Sequence, residues 1–186
     1  MGENTVDRRV RKTKKQLKQG LAVLLSQKPV NTITVREISD LVDINRGTFY
    51  LHYRDIFDMM EQIENEMIEE LNRALEMKLE KDKPLPLLDV IFGYIAENAD
   101  ISLALFGPNG DSSFGNRIHN LIHDKWLNDW IASNQNVKNF DYYVDFTLSG
   151  CLGILRTWLK NGMKETPKEM AALAERAIQN GPGALI

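Results

Sequence analysis

The chain has 186 residues, 43% of them apolar and 26% charged, with 23 Lys and Arg against 26 Asp and Glu and a net charge of −3. A chain of this length buries roughly 70% of its unfolded surface, so the composition excludes a disordered chain and leaves one globular domain or two small ones. One cysteine, Cys151, excludes an internal disulfide and a thiolate metal cluster; apolar runs of at most five residues fall far short of the ~20 of a membrane span, so a reduced, cytoplasmic protein with no membrane partner is expected.

The N-terminus is basic but leads into no apolar secretory core, and no export signal is evident. Val10, Leu17, Leu21, Leu24 and Leu25 share one helical face and predict a first helix over residues 7–26. Thr34 followed by Glu37 is a capping box, which starts a short second helix carrying Val35, Ile38, Leu41 and Val42 inward. Asn45 is a good N-cap for a third over residues 46–52. From 55 to 81, Met59, Ile63, Met67, Leu71 and Leu75 recur every four positions and predict one long helix of roughly 40 Å.

Beyond Pro86 the pattern gives an apolar helix over 87–98, a short piece near 102–106, a Gly/Asn/Asp/Ser loop over 107–113 and a helix over 114–134. The stretch 140–159 is apolar on two faces, Val144, Leu148, Cys151, Leu155 and Leu159 on one and Tyr143, Phe146, Ile154 and Trp158 elsewhere. A helix apolar on most sides must be covered on most sides. Thr166, Pro167 and Glu169 supply an N-cap, a first-turn proline and an acidic first turn for a last helix reaching about residue 180. No strand pattern competes, and the expected fold class is all-α.

Charge is unevenly divided along this series. Residues 1–55 hold eleven Lys and Arg against six Asp and Glu, a balance of +5, which leaves 12 against 20, or −8, for the rest. A basic head on an acidic body suggests an anion-binding module, with a solvated basic helix face as the plain alternative. The head's second and third predicted helices, joined by a short turn near 42–44 and braced by the first, have the helix-turn-helix arrangement. In such a unit the second helix enters the DNA major groove. Arg46 suits guanine or phosphate, Gly47 permits close backbone approach, and Thr48 and Tyr50 offer hydroxyls. Thr34, at a helix start, can meet a phosphate, and Lys12, Lys14, Lys15 and Lys18 add sequence-independent attraction.

Residues 8–60, through Thr34-Val35-Arg36-Glu37-Ile38 and Gly47-Thr48-Phe49-Tyr50-Leu51-His52-Tyr53, resemble the DNA-binding domain of the TetR (TetR/AcrR) family of bacterial transcriptional regulators. The run 150–174 resembles the last two helices of one subgroup of that family. The resemblance implies an N-terminal three-helix bundle over 1–54, its helix-turn-helix at about 34–52, linked by a long helix to an effector-binding and dimerisation domain over 55–186. It implies phosphate contacts from Thr34, Thr48, Tyr50 and His52, base contacts around Arg46 and Gly47, and an inward Phe49. Arg36, Asn45 and Arg54 join the expected DNA-binding set. Two positions depart from the family pattern: Asp43 stands where a turn glycine is common, and Ile56 where a phosphate-binding lysine opens the long helix, with Arg54 as its substitute.

The resemblance further implies a homodimeric, ligand-responsive repressor of a pseudo-palindromic double-stranded operator. The last two helices would then pack on their copies, with Phe146, Gly150, Gly153, Ile154 and Trp158 at the interface. Tyr94, Phe106, Trp126 and Trp130 are candidate lining for the pocket of an unidentified small-molecule effector, and each is equally ordinary core. His119 and His123 stand four apart with Asp124 nearby, but two histidines do not make a metal site, and no metal or other cofactor is expected. No nucleophile and base pair or phosphate loop is present, so an enzyme is not expected. The competing reading is an α-helical interaction protein whose basic head binds an acidic partner or anionic membrane.

Overall fold

A computed structural model describes residues 3–78, 85–110, 112–133 and 140–180. Among these the chain forms α1 (Glu3–Leu25), a 3-10 turn (Val30–Thr32), α2 (Val35–Leu41), α3 (Arg46–Tyr50), α4 (Ile56–Lys78), α5 (Leu85–Glu97), α6 (Ala99–Phe106), α7 (Ser112–Ser133), α8 (Phe140–Lys160) and α9 (Pro167–Asn180). No strand occurs among the described residues, and the fold is all-α as the periodicities require. The predicted continuation of the long helix past residue 78 lies outside the described residues. The chain divides into two compact units, Met1–Met67 with Asp100–Asp111, and Ile68–Ala99 with Ser112–Ile186. The division falls inside α4.

In the first unit α1 buries Leu17, Leu21, Leu24 and Leu25, and α4 buries Ile56, Met59, Met60, Ile63 and Met67. Each such side chain contributes about 1.5–3 kcal/mol on leaving water. Gly20 is what lets α2 approach α1 closely, because a Cβ there would sit 2.5 Å from Val42 Cγ1 and 3.3 Å from Ile38 Cγ1. Lys14 is drawn inward: its Nζ lies 3.1 Å from Glu66 Oε1 on α4 and 5.7 Å from the centroid of the Tyr53 ring. The end of α1 is held by the loop after α6, where Asn109 Nδ2 donates to the Leu25 carbonyl at 2.9 Å and the Val30 N–H donates back to the Asn109 carbonyl at 3.4 Å. One of the orphan carbonyls of a helix C-terminus is thereby satisfied.

The second unit packs α5 against α9, and α8 against both α7 and α9. Phe92 meets Trp158 edge to face, with ring centroids 5.5 Å apart, and the indole N–H of Trp158 donates to the Glu165 carbonyl at 3.1 Å. Trp158, expected at an interface between copies, is 2% exposed and forms part of its own unit's core. Its large apolar surface is consumed by α5 within one chain. The α9 start is a second capping box, in which the Glu169 N–H donates to Thr166 Oγ1 and Glu169 Oε2 accepts from the Thr166 N–H. That backbone donor, more than the hydroxyl, holds the Glu169 carboxyl below its ordinary range.

Candidate nucleic-acid interface

The first unit's geometry is set by two caps and a turn. Thr34 Oγ1 accepts from the Glu37 N–H at 3.2 Å while the Thr34 N–H donates to Glu37 Oε2 at 2.9 Å, which starts α2 as the sequence requires. Asp43 then adopts φ 54°, the left-handed conformation that Asp and Asn tolerate best after glycine. That is how the chain makes the turn without the usual glycine. Asn45 Oδ1 accepts from the Gly47 N–H at 2.7 Å and starts α3. Phe49 is fully buried beneath α3, with the Tyr50 and Tyr53 rings each 5.6 Å away.

With Phe49 inward, Arg46, Gly47, Tyr50 and Leu51 are exposed and Thr48 and His52 half-buried. Arg36 is exposed on α2 and pairs with Asp40 one turn on at 3.5 Å, a contact worth little in water. Of the other basic side chains, those of α1, Arg8, Arg9, Arg11, Lys12 and Lys15 are exposed and Lys18 is half-buried, whereas Lys14 is committed to Glu66.

Three structural features modify the site expected from the sequence. First, the Glu37 carboxylate fills the start of α2, accepting from Thr34 and from the Lys28 ammonium. The Lys28 hydrogen bond, then those from Thr34, lower its pKa from 4.5 to about 2. The phosphate-binding capacity expected of Thr34 is therefore shared with an internal anion. Second, Ile56 is buried, so no charge is available where the family pattern has lysine. Third, Arg54 is tethered to Asp58: its N–H donates to Oδ2 at 2.8 Å and its guanidinium to Oδ1 at 3.2 and 3.0 Å. The backbone N–H of Arg54 does most to hold the Asp58 carboxyl low, and the Asp58 carboxylate in turn raises the Arg54 pKa. The spacing of Arg54 and Asp58 at i, i+4 is the signal that could have revealed this pair.

Glu37 gives a prediction with a sign. A depressed carboxylate pKa contributes stability that is complete above the ordinary 4.5 and is lost as pH falls toward 2. Glu37→Gln should therefore melt below the parent chain near neutral pH, and the two melting curves should converge as acid protonates the parent's carboxylate. A constant gap across the acid range would contradict the pairing.

The remaining candidate residues fall on several elements. Tyr94 lies in the second unit and donates from its hydroxyl to Glu70 Oε2 at 2.8 Å, whereas Phe106 belongs to the first unit's core. The side chains of Trp126 and Trp130 lie outside the described residues. On α8, Phe146, Gly150 and Gly153 are exposed and Ile154 half-buried. His119 and His123 stack with centroids 6.1 Å apart, the former 3.6 Å from Asp145 and the latter 3.5 Å from Asp124. Among the described residues no three His, Cys, Asp or Glu could hold a metal. Burial pushes the Cys151 thiol up to about 11, which disfavours its thiolate form. Among the described residues no helix is long and apolar enough to cross a membrane.

Residues 82–180 match the family described as the C-terminal region of a transcriptional regulator, TetR_C_8. A 60-residue stretch, 32% of this chain, is 37% identical to an uncharacterized HTH-type transcriptional regulator, YxbF, of Bacillus subtilis (strain 168), and spans only 16% of that relative's length. The fold is similar to the fatty acid degradation regulator FadR from Bacillus halodurans, with a TM-score of 0.66 at 10% identity over 91% of this chain and 95% of that one. It is also similar to a tetR-family transcriptional regulator from Streptomyces coelicolor, with a TM-score of 0.62 at 15% identity over 90% of this chain and 79% of that one.

Proposed function

Because this chain belongs to the TetR family of transcriptional regulators, we propose that it is a homodimeric, ligand-responsive repressor whose first unit reads a pseudo-palindromic operator in double-stranded DNA. The observation that carries the DNA-reading part is α3, capped by Asn45, anchored on buried Phe49 and turning Arg46, Gly47 and Tyr50 outward from a basic module. In this reading Arg46 and Gly47 meet base edges, while Thr34, Thr48, Tyr50, His52 and Arg36 meet phosphates. Asn45 orients the helix. Arg54 reaches a phosphate only by exchanging its Asp58 partner for it.

The dimer part is supported by α8. Its outward face presents Tyr142, Phe146, Gly150 and Gly153, and a Cβ added at either glycine meets nothing within 4 Å. Small residues beside exposed aromatic ones suit close approach of a second copy's helix. Residues 1–54 then act as the DNA-binding domain and 55–186 as the effector-binding and dimerisation domain. An effector acts only through differential affinity for the DNA-free form. The chain would work in the cytoplasm, where its DNA is.

A binding titration over a salt series tests the reading. Specific binding should survive excess competitor DNA while log K falls steeply with log salt. Arg46→Ala should cost about 1–3 kcal/mol on the specific duplex and relax preference at one base pair. Equal losses on specific and random DNA would remove Arg46 from base reading. Retention of the head on anionic vesicles or an acidic protein, with no preference among DNA sequences, would instead favour an interaction module.

A further inference from the structure

Leu51 is 80% exposed, the most exposed large apolar side chain among the described residues, and it sits on the DNA-facing module. Its backbone is helical, φ −71° and ψ −19°, and its N–H donates to the Gly47 carbonyl, so it extends α3 by one residue. Counting about 100° per residue from buried Phe49, Gly47 and Leu51 both fall about 160° away. They are thus the outermost line of the helix. Gly47 has no side chain to hold the helix off a surface, and Leu51 stands one turn further along the same line. Laid in a major groove, that line faces the groove floor, where each base edge offers hydrogen-bonding atoms except at one place: the C5-methyl of thymine is apolar. An isobutyl group placed there has one matching contact, and against any other edge it strips water from a polar atom without replacing the hydrogen bond.

We propose that Leu51 is a specificity-determining residue that reads a thymine methyl group in each operator half-site. This rests on the DNA-reading function proposed above. Tyr50, braced edge-on by Phe49, and Arg46 both lie on one side of the line and supply polar contacts there.

The test uses the full chain and duplexes it selects from a random-sequence pool. Each thymine of the selected half-site is replaced singly by deoxyuridine, which removes the methyl group and leaves the pairing unchanged. At one position per half-site the parent chain should bind about fourfold more weakly to the deoxyuridine duplex, the weight of one buried methyl. Leu51→Ala, a change at an exposed site that leaves the fold intact, should bind both duplexes alike. Arg46→Ala should bind more weakly throughout yet keep the parent's preference for thymine. A parent chain indifferent to deoxyuridine at every position, or a preference that survives Leu51→Ala, overturns the assignment of Leu51 while leaving DNA reading intact. If the pool yields no enriched sequence, the DNA-reading function itself fails and the assignment falls with it.

Discussion

Phe49→Ala should unfold the DNA-reading head and abolish specific binding at every salt concentration. Phe49 is fully buried, is the inward anchor of a five-residue helix, and is the ring against which Tyr50 and Tyr53 pack. A helix that short has no stability of its own in water, so its position depends on packing. Truncating a buried Phe to Ala costs about 3–5 kcal/mol, a large part of what a small domain possesses. Calorimetry should show the first unit melting early or not cooperatively, while the second unit's transition remains. A variant that melts like its parent would show that α3 is held by something other than Phe49.

The second large effect is expected on α8. Phe146 is 68% exposed and lies on the face that also carries Gly150 and Gly153. Phe146→Asp should leave each monomer folded, because the side chain is mostly exposed within its own chain. It should put two unpaired carboxylates into the proposed two-fold interface, so sedimentation should report a monomer at micromolar concentration. With the two heads no longer linked, affinity for the full operator should fall by about 10²–10⁴, the advantage that linkage of two sites confers. Gly153→Leu adds a check by sign. In an exposed helix, replacing glycine by a helix former stabilises by roughly 0.5–1 kcal/mol, so a solvated α8 face would make the variant more stable, whereas a helix packed closely against it would make it less so. A chain that remains dimeric with Phe146→Asp would place the interface elsewhere.

Local signals made much of the head readable from sequence. The Thr34 and Glu37 box and the Asn45 cap each depend on residues within three positions of one another, the inward Phe49 and the Asp43 turn followed from the family resemblance, and the structure contains all four. What stayed hidden depends on distant partners. Lys14 looks like one more DNA-facing lysine until α4 brings Glu66 beneath it. Trp158 looks like interface until Phe92 on α5 covers it. Phe106 looks like a neighbour of Tyr94 on the sequence pattern alone, while its assignment to the first unit, with Asn109 and the end of α1, comes only from long-range packing. Asn109, in a loop marked only by its turn composition, holds the end of α1 from 84 positions away. No periodicity encodes such pairings, because they are fixed by how helices stack and not by how each one forms.

In the proposed function two copies of α3, held by a symmetric dimer, read one DNA site. Its most direct test is the sequence that the intact chain enriches from random duplexes in the presence of excess competitor DNA. The expected sequence is an inverted repeat whose half-site centres lie about 10–10.5 base pairs apart, or a small multiple of that. A selected pool indistinguishable from its input, or a motif without two-fold symmetry, would contradict it.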